Sequence, residues 1–163
     1  MNEFKLNQLD VGLRWFLAIF LFVLAMGVTV GLVYVSTTTD INPQGTVEHY
    51  AGSKVDDDFD IPEKYPKSVD AMLLTTHTHI IAFALIFVLL GGLFYYNSII
   101  SATWKNVLMI EPLLATLVTF GSIWGIRFIH PAFSYLTILS GSLMYLSFYT
   151  MTTILLYDLI FKK

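Results

Sequence analysis

Residues 13–35 read LRWFLAIFLFVLAMGVTVGLVYV, an apolar run with one charge at its edge. Three more such runs follow, over about 71–96, 107–128 and 133–159. Each reaches the roughly 20 residues needed to cross the hydrocarbon core of a bilayer. Backbone amides inside lipid find no water, so a spanning segment must satisfy them itself, as a helix or within a closed barrel. Runs of this length, without period-2 alternation, predict helices. The fold class expected is therefore all-α: an integral membrane four-helix bundle forming a single domain over residues 1–163.

Composition agrees. Charged residues make up 13% of the 163-residue chain and hydrophobic residues 56%, against about 25% charged in soluble domains. The net charge of −3 offers no basic surface, so nucleic acid is not an expected partner. No cysteine is present, which excludes disulfides, thiolate metal sites and covalent c-type haem attachment. The first run is longer than a signal-peptide core of ~7–15 residues and no A-x-A-like site follows it, so it reads as a retained span.

The loops give the orientation. Residues 36–70 form the one long loop, and it is acidic: Asp40, Glu48, Asp56, Asp57, Asp58, Asp60, Glu63 and Asp70 outweigh Lys54, Lys64 and Lys67. Lys5, Arg14, Lys105, Lys162 and Lys163 flank the opposite ends of the spans. The positive-inside rule then predicts both termini inside and the acidic loop outside. The run DDDFD at 56–60 lacks the alternating ligands and glycine of an EF-hand loop and reads as solvated charge.

Packing devices are visible too. Gly27 and Gly31, and Gly121 and Gly125, form G-x-x-x-G steps that let helices approach closely. Gly91, Gly92, Ala82 and Ala84 thin one side of the second span, and hydroxyls crowd the fourth. The glycines are also expected to leave room for a flat cofactor between helices.

Ionisable groups within spans are costly and mark function. The second span opens LLTTHTHIIAF, placing His77 and His79 near its outer end. Positions two apart on a helix are turned by about 200°, so the two rings face opposite sides and each needs its own partner. His130, Arg127 and His49 fall on the same outer side. Three readings follow. One or both of His77 and His79 ligate a b-type haem, with His130 as the opposite ligand and Arg127 pairing with the propionates. Alternatively, His77, His79, His130 and His49 hold copper or zinc. In the third, they are hydrogen-bonded bundle residues. Glu111, placed near the cytoplasmic end of the third span, is either a snorkelling carboxylate or a proton- or quinone-site acid. No nucleophile–base constellation is visible.

Locally, TTHTHIIAF resembles the His-x-His helix of nitric oxide reductase and haem–copper oxidase catalytic subunits, in which the two histidines bind different haems. More broadly, residues 45–96 resemble small four-span bacterial inner-membrane proteins of unassigned chemistry. The residues that carry this are GTVEHYAG, then PKS and LLTTHTH: Gly45, His49, Tyr50, Gly52, Pro66, Lys67, Ser68, His77 and His79. That resemblance draws attention to His49 and Tyr50. Together these features predict a b-type cytochrome-like electron-transfer protein or respiratory-complex subunit of the bacterial inner membrane. It would work between a quinol pool and a basic redox protein docked on the acidic loop. The alternative is a non-redox accessory subunit that binds other membrane subunits.

Overall fold

The computed structural model describes residues 5–54 and 61–162. All regular elements among them are helical. A 3-10 turn at Leu6–Gln8 precedes α1 (Val11–Thr39), α2 (Pro43–Ala51), α3 (Val69–Tyr95), α4 (Ala102–Phe128) and α5 (Phe133–Ile160). Four of these are long and apolar enough to cross a membrane. At about 1.5 Å per residue, their 27–29 residues exceed the core thickness with a turn to spare at each end. The protein is a multi-pass membrane protein whose outward faces meet lipid.

The caps explain where the helices begin. Asp10 accepts from the Gly12 N–H at 2.8 Å to start α1. Ser68 accepts from the Ala71 N–H at 3.2 Å to start α3. Side-chain oxygens at this position replace the partners that first-turn amides lack. Residue Ser101 precedes α4 in extended conformation, so α4 begins five residues before the apolar run does.

α5 is the hub. It packs along α4, against α1 on another side, and more lightly against α3. α4 also packs on α3, whereas α1 rests on α5 and α2 and has little contact with α3 or α4. The core threads these seams through Leu21, Met72, Phe87, Leu90, Ile123, Phe148, Met151 and Leu155. Hydroxyl pairs join α4 to α5 at Ser122–Thr137 (2.7 Å) and Thr119–Ser140 (2.8 Å). Such interhelical bonds help where no hydrophobic gradient drives helices together.

The 36–70 stretch is more structured than the loop expected from sequence. α1 runs on to Thr39, and α2 occupies Pro43–Ala51 and packs on α1, α4 and α5. Asn42 caps α2 by accepting from the Gly45 N–H at 2.7 Å, with Pro43 in the first turn and Gly52 after the last. The acidic run 56–60 lies outside the described residues.

The glycines also depart from expectation. A Cβ on Gly27, Gly31, Gly92 or Gly121 would meet nothing within 4 Å. These positions open outward, so the room they provide is not inside the bundle. Gly125 alone of its pair is tightly packed, with Phe133 against it.

The inner end is bound by polar groups. Arg14 Nε donates to the Leu159 carbonyl at 2.7 Å, and a guanidinium NH2 donates to Lys162 at 2.8 Å. These are carbonyls that the end of α5 would otherwise leave without partners. Lys105 Nζ donates to the carbonyls of Tyr95 and Asn97. Chain start and chain end thus meet on one side, opposite α2, as four spans require.

Candidate functional site at the outer end

Two layers make up the outer end: a cap built on α2, and the histidine-bearing turns of α3 beneath it. The cap brings the separated pieces GTVEHYAG and PKS together. Lys67 N–H donates to the Tyr50 carbonyl (3.1 Å), and Ser53 N–H donates to the Lys64 carbonyl (2.9 Å). Lys64 N–H returns a bond to Ser53 Oγ at 3.1 Å. Gly52 sits at φ +88 with Pro66 packed against its Cα, a backbone conformation that favours glycine. Gly45 is equally constrained, because a Cβ there would strike the Thr39 carbonyl.

Within this cap, the His49 ring stands edge-on to Tyr50 at 4.8 Å, and the Lys67 ammonium lies 5.5 Å from the Tyr50 ring centre. Burial, reinforced by Lys67 and Lys64, holds the His49 pKa down at about 4, so this imidazole is neutral at neutral pH. Burial, with Tyr34 and Tyr145 nearby, pushes the Tyr50 phenol up to about 12. Desolvation lowers Lys67. Arg127 Nε reaches the Lys67 carbonyl at 3.4 Å and so ties α4 to the cap. Arg127 was expected to pair with propionates; here its bond is to backbone.

Beneath the cap, the two α3 histidines diverge as helical geometry requires. His79 turns to the α3–α4 seam, its ring 5.2 Å from Phe120 and 6.3 Å from Phe83. Its Nδ1 is 2.8 Å from the Thr75 carbonyl. A carbonyl only accepts, so Nδ1 carries the proton and Nε2 keeps its lone pair. Metal-ligating imidazoles are commonly held by a bond of this kind. One turn above, Trp124 Nε1 donates to Thr76 Oγ1 at 2.9 Å and pins the seam. His77 faces the other side and is exposed.

His130 has the opposite tautomer. Its Nδ1 accepts from the Ala132 N–H at 3.1 Å, so the proton sits on Nε2, which donates rather than ligates. It lies beyond the end of α4 and lines an outer cleft of about 820 Å³ with Glu48, Glu63, Lys54 and Tyr135. Phe120, beside His79, is eight residues before the end of α4, or about 12 Å down the helix. The pairing of His130 with an α3 histidine on one iron is therefore not formed. Among the described residues, no three His, Cys, Asp or Glu side chains converge as a metal site. An ion held jointly by His77, His79, His130 and His49 has no geometric basis there.

Residues 40–163 match the model of a family described as a transmembrane helical domain. The chain belongs to this family. The match takes in α2 to α5, hence the whole outer cap and both α3 histidines, and leaves α1 outside. No curated protein and no solved structure matches the chain.

Glu111 lies deeper than the sequence suggested. Because α4 starts at Ala102, Glu111 is nine residues in, about 14 Å from the inner end. Ser147 of α5 donates a short hydrogen bond to its Oε2. The buried Oε1 has no partner. Asp158 is 0% exposed and accepts from the Ser98 N–H at 2.7 Å and the Ser98 hydroxyl at 2.8 Å. Its partner comes from the α3–α4 connection, 60 residues away, which no local pattern announces.

Proposed function

We propose that this protein is a subunit of a membrane electron-transfer complex in a bacterial inner membrane, with both termini inside, and that His79 would hold a b-type haem through one ring nitrogen. The observation that carries the reading is the Nδ1 bond of His79 to the Thr75 carbonyl, which leaves Nε2 as an available ligand on an exposed ring. Haem iron supplies one-electron chemistry when bound. This chain supplies the imidazole, the Phe83 and Phe120 rings beside it, and a cap that shields the outer end. The second ligand would come from a partner subunit, since His130 is turned to donate and His77 to face away. Segment 36–70 carries eight acids against three lysines, an excess that would steer a basic redox partner.

The test is spectroscopic. Protein expressed with full haem supply and purified with its complex should show a reduced-minus-oxidised α-band and a pyridine haemochrome. His79→Ala should abolish the band while His130→Ala keeps it. No band in the wild-type complex sinks the haem reading.

A second reading, a non-redox accessory subunit, is favoured by one observation. α1 is the least covered span, and its Gly27–Gly31 step opens outward, as a face for another membrane helix would. Copurification of other membrane subunits without any haem band would select this reading.

A further inference from the structure

A groove of about 550 Å³ runs along the lipid side of α4 and α5. Ile110 and Leu114 form one wall, and Leu139 and Leu143 the other. All four are exposed in the bundle and face the bilayer. Glu111 lines this groove, and it is the one carboxyl that does so. Its Oε2 is engaged by Ser147 of α5, which holds the side chain at the seam. Its Oε1 is buried beneath the groove lining and has no donor. A buried acceptor without a donor is unfavourable, and Ile110, Leu114, Leu139 and Leu143 offer none.

We infer that the groove binds a quinol: a hydroxyl-bearing ring on an isoprenoid tail. Three features select this class. The walls are hydrocarbon, which suits the tail. Just beneath the lining, Glu111 Oε1 is an acceptor without a donor, which suits a ring hydroxyl. The depth, about 14 Å above the inner end of α4, lies within the hydrocarbon, away from the hydroxyls of lipid headgroups at the membrane surface. A modest turn of the Glu111 side chain brings Oε1 to the ring. The choice of a redox lipid rests on the electron-transfer reading above; the groove and its unpartnered oxygen stand without it.

An acceptor discriminates between redox states. A quinol carries O–H donors and the oxidised quinone carries none. The site therefore prefers the reduced form, by about tenfold for one hydrogen bond. The full chain in lipid nanodiscs is titrated anaerobically with radiolabelled decylubiquinol and separately with decylubiquinone, with empty nanodiscs as the partition control. Saturable binding with the reduced form favoured is expected. Glu111→Leu should remove the preference, and Leu139→Trp, which fills the groove and leaves the carboxyl in place, should remove binding of both forms. Val30→Ala, on the exposed face of α1 and outside the groove, should bind quinol as the wild type does. Binding no greater than to empty discs, equal affinity for the two redox forms, or quinol binding that survives Leu139→Trp would each overturn the inference. Should Glu111→Leu fail to fold, the redox preference of the wild type and the Leu139→Trp result still decide it. Quinol binding in a complex without a haem band would defeat the proposed function and leave this site standing.

Discussion

Asp158 and Ser98 are held together by two hydrogen bonds, from the Ser98 amide at 2.7 Å and its hydroxyl at 2.8 Å, both to the buried carboxyl. Lys162 Nζ adds a bond to the Ser98 carbonyl at 3.1 Å. The end of α5 is thereby fastened to the connection between α3 and α4. Asp158→Ala removes the acceptor and strands a part-buried N–H. The expected cost is about 1–3 kcal/mol, read as a lower thermal midpoint in detergent. An unchanged midpoint would show that the contact adds nothing.

Gly125 and Gly121 separate two roles that one motif suggests. Phe133 carbons lie 2.5 Å from where a Cβ on Gly125 would be, whereas Gly121 has open space. Gly125→Ala should destabilise by about 1–3 kcal/mol through overpacking. Gly121→Ala should be neutral or slightly stabilising, since alanine is the better helix former. Equal effects in denaturant titrations would contradict the assignment.

Gly52→Ala should loosen the outer cap. The residue lies at φ +88, and a Cβ would come 2.9 Å from the Pro66 ring. A strained backbone of this kind costs about 1–3 kcal/mol. Limited proteolysis should then cut within residues 61–68 faster than in the wild type, with the four long helices still protected. Wild-type protection of that segment in the variant would refute the prediction.

His49 makes the cap acid-sensitive. Its pKa falls from 6.5 unfolded to about 4 folded, chiefly by burial and then by Lys67 and Lys64. A lowered histidine pKa means the unfolded form binds the proton first. Its stabilising share is full above pH 6.5 and is lost as pH falls from 6.5 toward 4. The half-exposed ring and solvent screening make the effect modest. Protection of the cap from hydrogen exchange should decline over that window, and His49→Gln should flatten the decline. A His49 that titrates near 6.5 by NMR would rule this out.

Trp124→Phe tests the α3–α4 seam. It deletes the 2.9 Å bond to Thr76, of a kind worth about 0.6 kcal/mol on average between membrane helices. The loss should appear as a small drop in unfolding midpoint, matched by Thr76→Val and not enlarged in the double variant. Additive losses would mean that the two residues act separately.

The spans, their number and the shared side of the termini were legible because apolar run length is a strong signal. The opposed directions of His77 and His79 were legible from helical pitch alone. α2 carried its own notice in Asn42, Pro43 and Gly52, but its low apolar content hid it; it is held by packing on α1, α4 and α5 rather than by its own periodicity. The tautomers of His79 and His130 were not legible, because each depends on which backbone group lies beside the ring. The partner of Glu111 was not legible either, because Ser147 lies 36 residues away on α5. The glycine steps misled for another reason: spacing shows that a close approach is allowed, not which neighbour makes it.

The bond from Arg14 to Leu159 joins residues 145 apart in the chain. In a membrane protein made vectorially, that distance is also a delay. The first span enters the bilayer long before the carbonyls that anchor its inner end have been synthesised, and α5, on which it rests, is the last of the four spans to arrive. Until then it has only α2 to lean on among the helices described here. The seating of α1 therefore runs backward along the chain: the first span takes its place only once α5 has left the ribosome.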